Sequence, residues 1–361
     1  MPFDVRDFDD APPGERAASR RNRRLVATWL LVVAGMILVM IGLGGATRLT
    51  GSGLSIMEWA PLSGALPPMS EAEWRRLFAL YQQIPQYALV NEGFGLAGFK
   101  QIFWLEWTHR LWGRLIGLAF LVPLIVFWAT GRIERRLIPR LGLLFLLGGL
   151  QGAVGWFMVA SGFFPDSTAV SAYRLVVHLV LALALYAAIL WTALGLLAPR
   201  PALTDVPPRL RLGAGLTVGL VSLTIVAGGF VAGIHAGLDY NTFPLMGGHL
   251  VPEGYARLTP FLRNLTENVP AVQFDHRLLA TLTALAAIGT LVAGFADRAV
   301  ASLRPRLAVL GCAVAAQYAL GVATLLNVVP VGLATAHQVG ATLVLTAALV
   351  LLHGVRRAPR P

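Results

Sequence analysis

Eight stretches of this chain are apolar for about the thickness of a bilayer's hydrocarbon, which takes roughly 20 helical residues to cross. They fall near residues 25–46, 108–129, 140–161, 172–197, 212–236, 275–296, 304–327 and 331–354. Lipid offers a peptide group no hydrogen-bonding partner, so each run must satisfy its own backbone as a helix. Composition agrees: 13% of the residues are charged and 56% hydrophobic, against about 25% charged in a soluble domain. The expected fold is an all-α integral membrane protein with eight transmembrane helices.

The remaining charge is ordered. Nineteen of the 29 Lys and Arg residues lie in the first 24 residues, the turns 130–140 and 297–306, the linker 199–211 and the tail 355–361. The intervening loops, 47–107, 162–171 and 237–274, carry far fewer. By the positive-inside rule both termini are cytoplasmic and the long loops face outward. The net charge of +11 is then a topology signal, and no nucleic-acid partner is expected. The acidic residues Asp4, Asp7, Asp9, Asp10 and Glu15 argue against a transit peptide, and the run after Arg24 is expected to be retained as the first span. The only cysteine, Cys312, falls in the seventh span, so no internal disulfide can form. A bacterial inner membrane is the expected home, and the lipid bilayer the first partner.

The spans repeat four by four. Gly44-Gly45 matches Gly228-Gly229, and Gln151 matches Gln317. Glu106-Trp107-Thr108-His109-Arg110-Leu111 matches Gln273-Phe274-Asp275-His276-Arg277-Leu278, and His178 matches His337. An even number of spans brings both halves in from the same side, so they are parallel repeats. The expected division is a tail 1–24, a four-helix bundle 25–198 with the long outward loop 47–107, a linker 199–211 rich in proline (Pro199, Pro201, Pro207, Pro208), a second bundle 212–354, and a tail 355–361. In the outward loop, Ser70 and Glu73 fit a capping box. Trp74, Leu77, Phe78 and Tyr81 follow at helical spacing, which predicts an amphipathic helix on the outer surface.

Spans two, four, six and eight all run inward, and each carries a histidine near its start, so the four lie at one depth. Within each half the two histidine-bearing helices are parallel and could face each other across a bundle. A histidine in hydrocarbon is a functional-site hypothesis, and paired imidazoles on facing helices can ligate a haem iron from both sides. The bland alternative is a hydrogen bond from each ring to a neighbouring carbonyl. Zinc fits less well, since no cysteine or second carboxylate accompanies either pair. His235, His249 and His353 have no counterparts in the repeat and are expected to serve elsewhere.

Glu106 is the asymmetry. It lies on the same helical face as His109, while its counterpart Gln273 cannot ionise. One half would then react while the other holds a cofactor. Alternatively, Glu106 caps its helix at the wet interface. Arg48, Arg110 and Arg277 could anchor carboxylates through their forks or snorkel to the headgroups.

With Glu106-x-x-His109-Arg110, His276-Arg277, the stretch Gly237-Leu238-Asp239-Tyr240-Asn241-Thr242-Phe243-Pro244-Leu245-Met246 and the segment Gly44 to Ser55 (Gly-Gly-Ala-Thr-Arg-Leu-Thr-Gly-Ser-Gly-Leu-Ser), the chain resembles the haem A synthases from about residue 25 to 355. The resemblance implies an oxidoreductase that converts the C8 methyl group of haem O to a formyl group. His109 and His178 would ligate the substrate haem, and His276 and His337 a resident haem b. Glu106 would be catalytic, stabilising positive charge on the methyl carbon or steering a water. It also implies a haem O synthase and oxidase assembly factors as partners, and an electron acceptor of unknown identity. Some members carry a cysteine pair in the first outward loop. This chain has none, so it resembles the branch found in proteobacteria and mitochondria. The rival readings are a di-haem electron-transfer cytochrome linked to quinone and a haem carrier.

Overall fold

The computed structural model describes residues 13–165, 167–199, 203 and 205–356. Asp4, Asp7, Asp9, Asp10, Pro201 and the tail beyond Arg356 lie outside the described residues. Eight helices are long and apolar enough to cross a membrane. They are α1 (Pro13–Leu49), α4 (Leu96–Ala129), α5 (Ile138–Val159), α6 (Ala172–Leu197), α7 (Pro208–Gly233), α9 (Val269–Phe295), α10 (Arg304–Leu326) and α11 (Val331–Gly354). Three short helices, α2 (Glu71–Tyr81), α3 (Pro85–Val90) and α8 (Asn264–Glu267), sit in the two long loops. Among the described residues there is no strand, only an isolated bridge between Met246 and His249.

Neighbour relations close two rings. α1 packs on α4 and α6, and α5 on both of those; α7 packs on α9 and α11, and α10 on both of those. In each ring the histidine-bearing helices (α4 and α6, α9 and α11) are separated by the other two. The largest apolar cluster joins Val26, Leu30 and Val33 of α1 to Leu141 of α5, Tyr186 and Ile189 of α6, and Val344, Leu345 and Leu349 of α11. One core therefore runs across both halves. Hydrogen bonds stitch the same seam: Gln338 Nε2 to Ile41 O at 2.9 Å, Arg48 Nη1 to Ala232 O at 3.0 Å, and Tyr186 with Thr346 at 2.7 Å. The backbones of α6 and α7 approach closely because Gly233 has no side chain. A Cβ there would lie 2.6 Å from Ala172 Cβ and 2.8 Å from Ala172 Cα.

The helix boundaries depart from the hydropathy runs most in α4. It starts at Leu96, so His109 lies more than three turns inside it rather than at its start, and the outward loop ends earlier than 107. The added turns carry Phe99 and Phe103, against which Trp74, Phe78 and Tyr81 pack edge-on or tilted. Aromatic packing against α2 thus extends the helix where hydropathy sees no span. Ser70 caps α2 as the motif predicts, its Oγ accepting from Glu73 N at 3.2 Å. The Glu73 carboxylate instead takes two hydrogen bonds from Arg76, which also forks onto Glu58. That guanidinium holds the Glu58 carboxyl below the usual carboxylate range.

Gly233→Ala is expected to lower the thermal midpoint of the detergent-solubilised protein, since the overlap with backbone must be relieved by moving a helix, at about 1–3 kcal/mol. An unchanged midpoint would show that α6 and α7 are not held this closely.

Candidate functional site

Each of the four histidine rings closely approaches a glycine of an adjacent helix. A Cβ on Gly44 of α1 would sit 3.2 Å from His109 Nε2, and one on Gly155 of α5 2.9 Å from His178 Cε1. In the second half, a Cβ on Gly228 of α7 would lie 2.9 Å from His276 Cε1, and one on Gly321 of α10 2.8 Å from His337 Cε1. At Gly155, Gly228 and Gly321 the contact is shorter than a Cβ can adopt, and at Gly44 it is tight, so the glycines let the rings lie where they do. The same four-part arrangement occurs at corresponding positions of both halves.

Glutamines hold the outer pair of rings. Gln317 Nε2 donates to His337 O at 2.8 Å and lies 3.0 Å from His337 Nδ1; Gln151 Nε2 donates to His178 O at 2.9 Å. His276 Nδ1 is 3.1 Å from Thr224 O, which leaves Nε2 as the free ligand atom. The His276 and His337 ring centroids are 6.4 Å apart with perpendicular planes. Imidazole nitrogens bind metals at about 2.0–2.1 Å, so two rings sharing one ion have centroids roughly 6 Å apart. The second pair therefore fits a single iron between its rings. In the first half, His178 Nδ1 and Gln151 Oε1 are buried with no hydrogen-bond partner, as is Gln317 Oε1 in the second. Among the described residues no three metal-ligating side chains come together, so each pair offers two imidazoles and nothing else.

One turn outward from His109, Glu106 is 2% exposed. Its Oε2 accepts from Ser55 N, Ser55 Oγ and Ile56 N at 2.7–2.9 Å. Its Oε1 accepts from Arg110 Nε at 3.0 Å and Nη2 at 2.6 Å. Arg110 also donates to the carbonyls of Ile56 and Glu58. Glu106 and Arg110 together clamp the descending outward loop onto α4. The second half repeats the clamp without the charge. Gln273 donates to Ala236 O and Asp239 O, accepts from Arg277, and Arg277 donates to Tyr240 O and Thr242 O. Arg110 thus divides its bonds equally between Glu106 and two loop carbonyls, and Arg277 gives two of its three to loop carbonyls. Arg48 commits only Nη1, to Ala232 O across the seam.

Set beside known proteins, residues 27–349 match the COX15-CtaA family, described as a cytochrome oxidase assembly protein. The chain belongs to that family. Its relatives include a protein named heme A synthase from Granulibacter bethesdensis, 67% identical over 94% of this chain and 90% of that one. A heme A synthase from Rhodospirillum centenum is 52% identical over 94% of this chain and 90% of its own. One from Azorhizobium caulinodans is 51% identical over 91% and 94%.

His178, His276 and His337 lie about two turns into their helices, His109 lies more than three turns into α4, and Arg48 ends α1. Sequence reasoning passed over Ser55, whose partner is far away in the chain. It saw Gln151 and Gln317 as a repeat without giving them a task. The signal for the glycines was their offset match between halves. His249 lies in the outward loop, His235 follows α7 in the left-handed conformation (φ 56°), and His353 is buried at the inner end of α11 against Trp191.

The two clamps should respond unequally to loss of their arginines. Arg110→Ala strands a buried carboxylate and is expected to cost about 3–5 kcal/mol. Arg277→Ala strands only a neutral amide acceptor, at about 1–3 kcal/mol. Equal losses of unfolding midpoint in the two variants would refute the charged clamp.

Proposed function

We propose that the chain is a haem A synthase, oxidising the C8 methyl group of haem O to a formyl group to supply terminal oxidases with haem A. The observation that carries this reading is the glycine-cradled histidine pair, repeated in both halves of a member of this family. His109 and His178 hold the substrate haem, and His276 and His337 a resident haem b, whose iron supplies a one-electron redox centre when bound. The perpendicular, suitably spaced second pair supports this division. The two helix rings form two pseudo-symmetric four-helix bundles, 25–198 and 212–354, joined by the linker 199–211.

The residues around the pairs position and polarise. Gln151 and Gln317 orient the ring-bearing helices, and the glycines keep the rings against their neighbours. Glu106 has all its bonds taken, so it cannot swing as a mobile base. It fixes negative charge one turn from His109, where a positive charge developing on the methyl carbon is stabilised in a low-dielectric site. Arg48, with donors to spare, suits a propionate; Arg110 and Arg277 reach one only at the edge of their loop contacts. The membrane is the bacterial inner membrane, with both termini cytoplasmic. A haem O synthase supplies the substrate, oxidase assembly factors take the product, and a separate acceptor takes the electrons.

Chromatography of haems extracted from the protein co-expressed with a haem O synthase tests the activity. Haem A or a hydroxylated haem O alongside haem B is expected; haem B alone, at two per chain, would mark an electron-transfer cytochrome instead. Glu106→Gln is expected to retain haem and lose conversion, and normal haem A output by that variant would end its catalytic role. His276→Ala is expected to lose haem b, and unchanged haem b content would reverse the assignment of halves.

A further inference from the structure

Between Glu58 and Glu71 the first outward loop runs Trp59-Ala60-Pro61-Leu62-Ser63-Gly64-Ala65-Leu66-Pro67-Pro68-Met69, without a charge. Leu62, Leu66 and Met69 are 87%, 76% and 85% exposed, and Trp59, half of it against the protein, is 56% exposed. Exposed to water, such a patch would be costly. We propose that residues 59–69 form a re-entrant segment lying within the outer leaflet, its apolar side chains in contact with phospholipid acyl chains.

Two contacts and a ruler along α1 set its depth. Arg114 lies five residues beyond His109 on α4, about 7–8 Å further into the membrane at 1.5 Å per residue. It donates Nε to Pro61 O at 2.8 Å and Nη2 to Ala60 O at 2.7 Å, and a Cβ on Gly64 would meet its Nη2 at 2.9 Å. A helical side chain leans toward its own N-terminus, here the outer face, so Arg114 brings the loop to about the level of His109. Next, Trp59 stacks on Trp156 at 6.2 Å. Trp156 adjoins Gly155, the glycine against His178. Finally, α1 supplies a ruler: Gly44 faces His109 and Gly113 faces Met40, so these levels fall about one and a half to two and a half turns inside the end of α1 at Leu49.

The segment is also built for lipid. Pro61, Pro67 and Pro68 have no N–H to strand. Gly64 N bonds Ala60 O, Ala65 N bonds Leu62 O, and Leu66 N bonds Ser63 O, so part of its backbone is satisfied within the segment, and the rest is served at the headgroup boundary rather than in the hydrocarbon centre. The flanking charges Glu58 and Glu73, tied by Arg76, mark where the segment leaves and re-enters the headgroup region. The second half has no such device. Thr281 stands where Arg114 would be and bonds Tyr318 of α10 at 3.1 Å.

The test uses nitroxide labels at Leu62→Cys and Leu66→Cys in a Cys312→Ser background, in phosphatidylcholine–phosphatidylglycerol vesicles. Ala72→Cys on α2 is the aqueous reference and Leu118→Cys on α4 the lipid reference. Both test side chains are largely exposed, and circular dichroism verifies each labelled chain. Positions 62 and 66 are expected to collide with oxygen several-fold more than with a soluble nickel chelate, as Leu118→Cys does. Nickel accessibility matching Ala72→Cys would overturn the proposal. The unmodified protein gives a second reading. In vesicles with diazirine-tagged acyl chains, photo-adducts are expected within 59–69, and adducts confined to the eight long helices would overturn it.

Discussion

A backbone entering lipid must find a partner for every polar group it brings, and the outer half of this molecule is arranged around that demand. Where the first loop meets α4, the carbonyls of Ile56, Glu58, Ala60 and Pro61 are all taken by two arginines one turn apart. Arginine can do this because its fork offers several donors in a fixed plane. A buried guanidinium in turn needs a counter-charge, and Glu106 supplies it for Arg110. The carboxylate is then bound on its other oxygen by Ser55 and Ile56, so the residue proposed as catalytic is also the pin that fixes the loop. Position and charge at this site thus come from one side chain.

The second half makes the same connection with a neutral amide. Gln273 both donates and accepts, so it can join Arg277 to the loop carbonyls without ionising. Swapping a carboxylate for an amide therefore preserves the architecture while removing a fixed negative charge one turn from a histidine. That difference, more than any difference in the histidines, separates the proposed reacting half from the proposed holding half.

Much of this was legible in the sequence because it rests on periodicity and repetition. Eight apolar runs fixed the number of helices, and offsets between the halves picked out His109 with His276 and His178 with His337. Ser55 and Ile56 were invisible as partners of Glu106 because some fifty residues intervene, and nothing local in a serine announces a distant carboxylate. The start of α4 was misplaced because its first turns are stabilised by Trp74 and Tyr81 from another helix, so no run of hydropathy marks them. Arg110 and Arg277 read equally well as anchors or as snorkelling cations. Neither reading anticipated a clamp, since the loop carbonyls they serve leave no trace in sequence.

The apolar cluster shared by α1, α6 and α11 sets the order in which this molecule can be completed. α1 is made long before α11, which covers one of its flanks. Four helices can leave the ribosome and close a ring, yet the groove that receives Gln338 at Ile41 stays open until the final helix arrives. The nascent first half must therefore wait in the bilayer, its seam filled by lipid or by the insertion machinery. The duplicated fold thus behaves in biogenesis as a single cooperative unit, with its last helix as the keystone.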